Sequence, residues 1–84
     1  MLSDPDYARL RWRARRGLLE NDLVFDRLFK RRGAEFSADE YGQLIRLLEL
    51  DDVVLWDLIA GRRDDWPDGT ADMVAELRRT LSTH

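Results

Sequence analysis

An all-α fold, a compact bundle of five short helices, is predicted by three features of this 84-residue chain. Apolar residues recur at helical spacing in successive stretches, capping residues open those stretches, and glycines close them. No alternating apolar and polar run of the kind that marks a half-buried strand appears, and neither does a repeat or low-complexity tract. At 84 residues with 44% hydrophobic and 37% charged residues, residues 1–84 are expected to form a single domain with one core.

Asp4-Pro5 is read as the opening of the first helix, with Asp4 as the cap and proline in the first helical position. That helix should run to about residue 16 on a narrow buried stripe of Tyr7, Leu10 and Ala14. Trp12 lies off the stripe, which leaves two readings, a half-buried packing residue or a recognition residue. Gly17 breaks the helix and the second begins at once. Leu18, Phe25, Leu28 and Phe29 form its inner face, and Leu23 and Val24 widen it. Asn21 falls among these apolar residues and needs a hydrogen-bond partner or partial exposure. Lys30, Arg31 and Arg32 place positive charge in the last turn, and Gly33 ends it.

Ser37-Ala-Asp-Glu40 is a capping box that starts the third helix, whose apolar face is Tyr41, Leu44, Ile45, Leu47 and Leu48. Asp51 or Asp52 caps a short fourth helix with Val54, Leu55, Leu58 and Ile59 inward, closed by Gly61. The polar stretch 62–69, with Pro67 and Gly69, reads as a loop with Trp66 laid over a groove. A last helix over 70–81 buries Met73, Val74, Leu77 and Leu81. The expected core is Leu18, Phe25, Phe29, Leu44, Ile45, Leu48, Leu55, Leu58, Val74 and Leu77.

Composition removes several function classes. The chain has no cysteine and one histidine, His84, at its end. Disulfides, thiolate zinc sites, thiol nucleophiles and a catalytic imidazole are therefore not expected, and His84 reads as a solvated terminus. Asp51 and Asp52 have no third ligand nearby, which favours capping over metal binding. The net charge of −3 hides an asymmetry: Arg9, Arg11, Arg13, Arg15 and Arg16 crowd the first helix, while acids crowd the region after residue 50. Arginines at every second position spread around a helix instead of forming one stripe, which counts against nucleic-acid binding. No apolar run reaches membrane-spanning length and residues 1–6 lack signal-peptide character, so a cytoplasmic protein is expected.

The charged corner Arg15-Arg16-Gly17-Leu18-Leu19-Glu20 has two readings. Gly17 is only a helix break with Arg16 and Glu20 an exposed ion pair, or it is a bare patch that permits close backbone approach between a fork-shaped donor and an acceptor. The chain resembles the SdhE-type assembly factors of succinate dehydrogenase. The most specific part runs from Arg9 through Trp12 to Asp22 and carries the family's Arg-Gly-x-x-Glu motif at Arg16, Gly17 and Glu20. Phe29, Ser37-Ala-Asp-Glu40, Leu47-Leu48-Glu49 with Asp51-Asp52, and Gly61 extend it. Asn21 stands where the family usually has Leu, Val53 where it often has Pro, and Leu58 where it often has Trp.

This resemblance implies an all-helical chaperone that promotes covalent attachment of FAD; a monomer is expected, and the want of catalytic residues counts against an enzyme. The implied partner is the flavoprotein subunit of succinate dehydrogenase, and fumarate reductase is a further one. Flavin and histidine would both belong to that subunit, so this chain would bind no cofactor or metal tightly. Arg16, Gly17 and Glu20, with Arg9, Trp12 and Asp22 around them, would bind the partner. The residues by themselves leave open a generic helical interaction module, such as an antitoxin-like or regulatory protein, and a nucleic-acid binder using the first helix.

Overall fold

Five helices follow one another, α1 (Asp4–Ala14), α2 (Leu19–Arg32), α3 (Ala38–Leu48), α4 (Asp52–Ile59) and α5 (Ala71–Ser82). They are taken from a computed structural model that describes residues 1–15 and 17–82. Arg16, expected to end the first helix and to bind a partner, and His84, expected as a solvated terminus, lie outside the described residues. The all-α class read from the sequence is what the described residues form, with no strand among them.

α2 runs through the middle and packs on α5 and α4, while α1 lies across α3 and α2. Its inner face buries Val24, Phe25, Leu28 and Phe29 against Leu55, Leu58 and Ile59 of α4 and Met73, Val74 and Leu77 of α5. Leu10 and Ala14 of α1 close one side, over Leu44, Leu47 and Leu48 of α3. Phe29 is the hub of an aromatic cluster, meeting Tyr7 edge-on at 5.9 Å and Phe36 edge-on at 6.2 Å. Such edge-to-face pairs stabilise beyond their buried area.

Several local expectations are corrected. Ser3, not Asp4, caps α1: its Oγ accepts from the Asp6 N–H at 3.3 Å, leaving Asp4 as the first helical residue. α1 stops at Ala14, where Arg15 turns extended (φ −87°, ψ 94°). Leu18 is the extended residue before α2 and is only half-buried, because it precedes the helix whose inner face it was expected to join. Leu23 is 50% exposed. Ile45 is half-buried because it sits about 100° round α3 from the buried Leu44. Val54 is half-buried for the same reason of phase.

Other signals were met as read. Ser37 and Glu40 form the reciprocal capping box, with Glu40 N–H donating to Ser37 Oγ at 3.1 Å and Ser37 N–H donating to Glu40 Oε1 at 2.8 Å. Gly33 takes φ +58° and its N–H closes α2 on the Phe29 carbonyl at 2.7 Å.

Polar side chains also join helices that are far apart in sequence. Arg32 donates to both Glu40 oxygens at 2.8 Å and to Glu76 at 2.8 and 3.0 Å, with its guanidinium 4.4 Å from the centre of the Phe36 ring. The buried Gln43 accepts from the Met73 N–H at 3.1 Å, so α3 supplies the side-chain cap that α5 needs. Arg78 holds the 62–69 loop, donating to the Leu58 and Arg63 carbonyls and lying 5.5 Å from the Trp66 ring centre.

Candidate functional site

The junction of α1 and α2 presents most of the residues that the sequence singles out. Trp12 is 79% exposed. A helix advances about 100° per residue, which sets Trp12 about 200° from the buried Leu10, pointing directly away from the core. The half-buried packing reading does not fit this exposure, since such a residue would be covered. Arg9, three residues earlier on the same side of α1, is exposed as well.

Gly17 is exposed, has φ +96°, and a Cβ built on it would meet nothing within 4 Å. The backbone there is left-handed and open to solvent, a geometry that glycine adopts without strain and that a second backbone could approach. Glu20 lies in the first turn of α2, where a carboxylate complements the helix dipole. It is exposed and forms no ion pair or side-chain hydrogen bond with the other described residues. Asp22, half-buried, borders a cleft between α1 and α2 with Arg11, Arg15, Leu23 and Asp26 at the rim and Ala14, Phe25 and Phe29 beneath. A shallower groove on the other side of α1 is lined by Trp12, Arg13, Arg15, Leu48 and Glu49. Arg15 borders both.

Asn21 explains how the start of α2 is held. It is 1% exposed, and its Nδ2 donates to the Asp52 carbonyl at 3.0 Å. The corner is thereby fastened to the start of α4, beside Val53, which is 65% exposed.

Sequence reasoning missed two apolar members of this surface. Leu19 is 65% exposed and Leu23 50%. They stand four residues apart, one turn along the outward side of α2. Leu23 is expected to widen the inner face beside Val24, but it sits about 100° round α2 from the buried Val24 and faces outward.

Among the described residues no cluster of three or more acidic or histidine side chains could hold a metal ion, and no helix is long and apolar enough to cross a membrane. Fold and corner together define a small helical protein whose exposed apolar and charged groups gather at the first interhelical junction. Residues 8–81 match the family model described as flavinator of succinate dehydrogenase. The chain belongs to this family. Among its relatives, the FAD assembly factor SdhE of Ralstonia nicotianae is 51% identical over 81 residues, covering 95% of this chain and 82% of the relative. The FAD assembly factor SdhE of Vibrio vulnificus strain CMCP6 is 34% identical over 77 residues, 92% of this chain and 90% of its own length. That of Xylella fastidiosa strain 9a5c is 43% identical over 53 residues, 63% and 55% of the two chains. No solved structure gives a significant match.

Proposed function

We propose that this chain is an assembly factor that binds the flavoprotein subunit of succinate dehydrogenase and promotes covalent attachment of FAD to it. The observation that carries this reading is the family match along residues 8–81, within which the described motif residues Gly17 and Glu20 are exposed at one corner with Arg9 and Trp12. FAD belongs to the subunit, where its isoalloxazine methyl carbon is the atom joined to a subunit histidine. Among the described residues of this chain no strand leads into a glycine-rich turn, so the pyrophosphate cradle of dinucleotide-binding folds is not built here.

The chain's own part is binding and orientation, and it is not an enzyme in this reading. Gly17 lets a subunit backbone come close, Glu20 accepts hydrogen bonds from subunit donors, and Trp12 supplies apolar area with little side-chain entropy to lose. Arg16 adds a fork-shaped donor beside Gly17, and Asp22 and Arg9 extend the surface. Residues 1–84 act as one domain and as a cytoplasmic monomer, with no nucleic acid or membrane as partner. Related fumarate reductase subunits are a second partner of the same kind.

The experiment is flavinylation of the purified flavoprotein subunit with FAD, with and without this protein, followed by the flavin fluorescence that survives denaturation. The proposal expects a faster or more complete reaction in its presence. Equal rates and yields would refute it.

A further inference from the structure

The arginines of α1 differ from those in the rest of the chain. Arg31, Arg32, Arg62, Arg63 and Arg78 each pair with a carboxylate, and Arg46 donates to the Asp68 carbonyl. Arg9, Arg11, Arg13 and Arg15 form no ion pair or side-chain hydrogen bond with the other described residues. Arg11 has a cation–π contact instead, with its guanidinium 5.8 Å from the Tyr7 ring centre. In a chain of net charge −3, these guanidiniums touch no carboxylate of the described residues, although Asp22 and Asp26 share a cleft with Arg11 and Arg15, and Glu49 a groove with Arg13 and Arg15.

The placement of these charges is ordered. Arg9 and Arg13 are one turn apart on one flank of α1, and Arg11 lies on the other, about 160° round from Arg9. The exposed Trp12 stands on the crest between the flanks, and Arg15 follows where the helix ends. The arginines are spread around the helix, as the alternation of the sequence implies, and the spread frames a tryptophan.

We propose that this face of α1 docks on an apolar recess rimmed by carboxylates on the flavoprotein subunit, with Trp12 seated in the recess and the arginines facing the rim. The inference rests on the reading that this subunit is the partner. Charge complementarity argues for an acidic rim, because unpaired guanidiniums at an interface need acceptors. A large aromatic group that is almost wholly exposed before binding argues for an apolar centre, since its burial supplies the hydrophobic gain. The two features have separate kinetic roles: long-range charge sets the rate of encounter, and the buried anchor sets the lifetime of the complex.

The test is stopped-flow association with the purified flavoprotein subunit between about 50 and about 500 mM NaCl. The wild-type association rate should fall about tenfold across that range as screening shortens the reach of the charges. R9Q/R11Q/R13Q should associate about tenfold more slowly at low salt and lose most of the salt dependence, while R9K/R11K/R13K keeps the wild-type rate. Trp12→Ala should keep its association rate and dissociate at least about tenfold faster. A wild-type chain that flavinylates the subunit but associates at a salt-independent rate would overturn this docking mode and leave the assembly reading standing. So would a glutamine variant that matches wild type, or a lysine variant as slow as the glutamine one. A wild-type chain that binds duplex DNA but not the subunit would overturn both readings.

Discussion

Asn21 is bonded to the carbonyl of Asp52, 31 residues away, by a 3.0 Å hydrogen bond that fastens the start of α2 to the start of α4. Only half of the amide is used. Asn21 Nδ2 has its acceptor, whereas Oδ1 is buried without a hydrogen-bond partner. A buried acceptor left unpaired costs about 1–3 kcal/mol, as much as or more than the about 0.5–1.5 kcal/mol that a single bond contributes.

Asn21→Leu should therefore leave stability unchanged or raise it by up to about 1 kcal/mol, since leucine has similar volume and no polar atom to satisfy. Asn21→Ala should lower it by about 1–3 kcal/mol through the cavity and the lost bond. Urea unfolding of the pair checks this. Equal losses in both variants would show that the hydrogen bond, and not packing, holds the corner.

Acid should weaken the fold in part through Glu40. Its carboxyl is held well below its ordinary 4.5, at about 2, first by the hydrogen bonds from Arg32 and then by the Ser37 N–H. A depressed folded-state pKa means that the unfolded chain takes up the proton first. The stabilisation is complete above about pH 4.5 and is lost as pH falls from there towards about 2. Glu40→Gln should be less stable than wild type at neutral pH, and the gap should narrow through that window. Thermal midpoints across the acid range give the measurement, and a constant gap would contradict the assignment.

Gly17 separates strain from contact. Its φ of +96° penalises any side chain, while the space around a Cβ is open. Gly17→Ala and Gly17→Arg should both lose about 1–2 kcal/mol of stability. Binding of the subunit should fall much further for Gly17→Arg, whose bulk occupies the approach. Similar affinities for the two variants, measured by calorimetry, would remove the close-approach role.

Much of this fold was legible where one local rule decides the outcome. Ser37 and Glu40 announced α3 because both halves of the capping box lie within four residues, and Gly33 announced the end of α2 because it is the first residue there able to take a positive φ. The misses share a cause as well. Ser3 and Asp4 are both good caps, and nothing local chooses between them. Phe36 is buried in the connection between α2 and α3, where no periodicity exists to report it. The links from Arg32 to Glu76 and from Gln43 to Met73 depend on tertiary packing across 44 and 30 residues. At the corner, the motif could be read from Gly17 and Glu20, but the exposure of Trp12, Leu19 and Leu23 was settled only by how the helices pack.

The most direct test of the docking corner is Glu20→Ala, measured for thermal midpoint and for flavinylation of the subunit. An exposed carboxylate without a partner among the described residues contributes little to folding, so the midpoint should stay within about 1–2 °C of wild type. Lost at an interface, the same carboxylate leaves a subunit donor unpaired, and affinity should fall by about 2–5 kcal/mol, with flavinylation at limiting concentrations falling in step. A folded Glu20→Ala chain that binds and flavinylates like wild type would contradict the account.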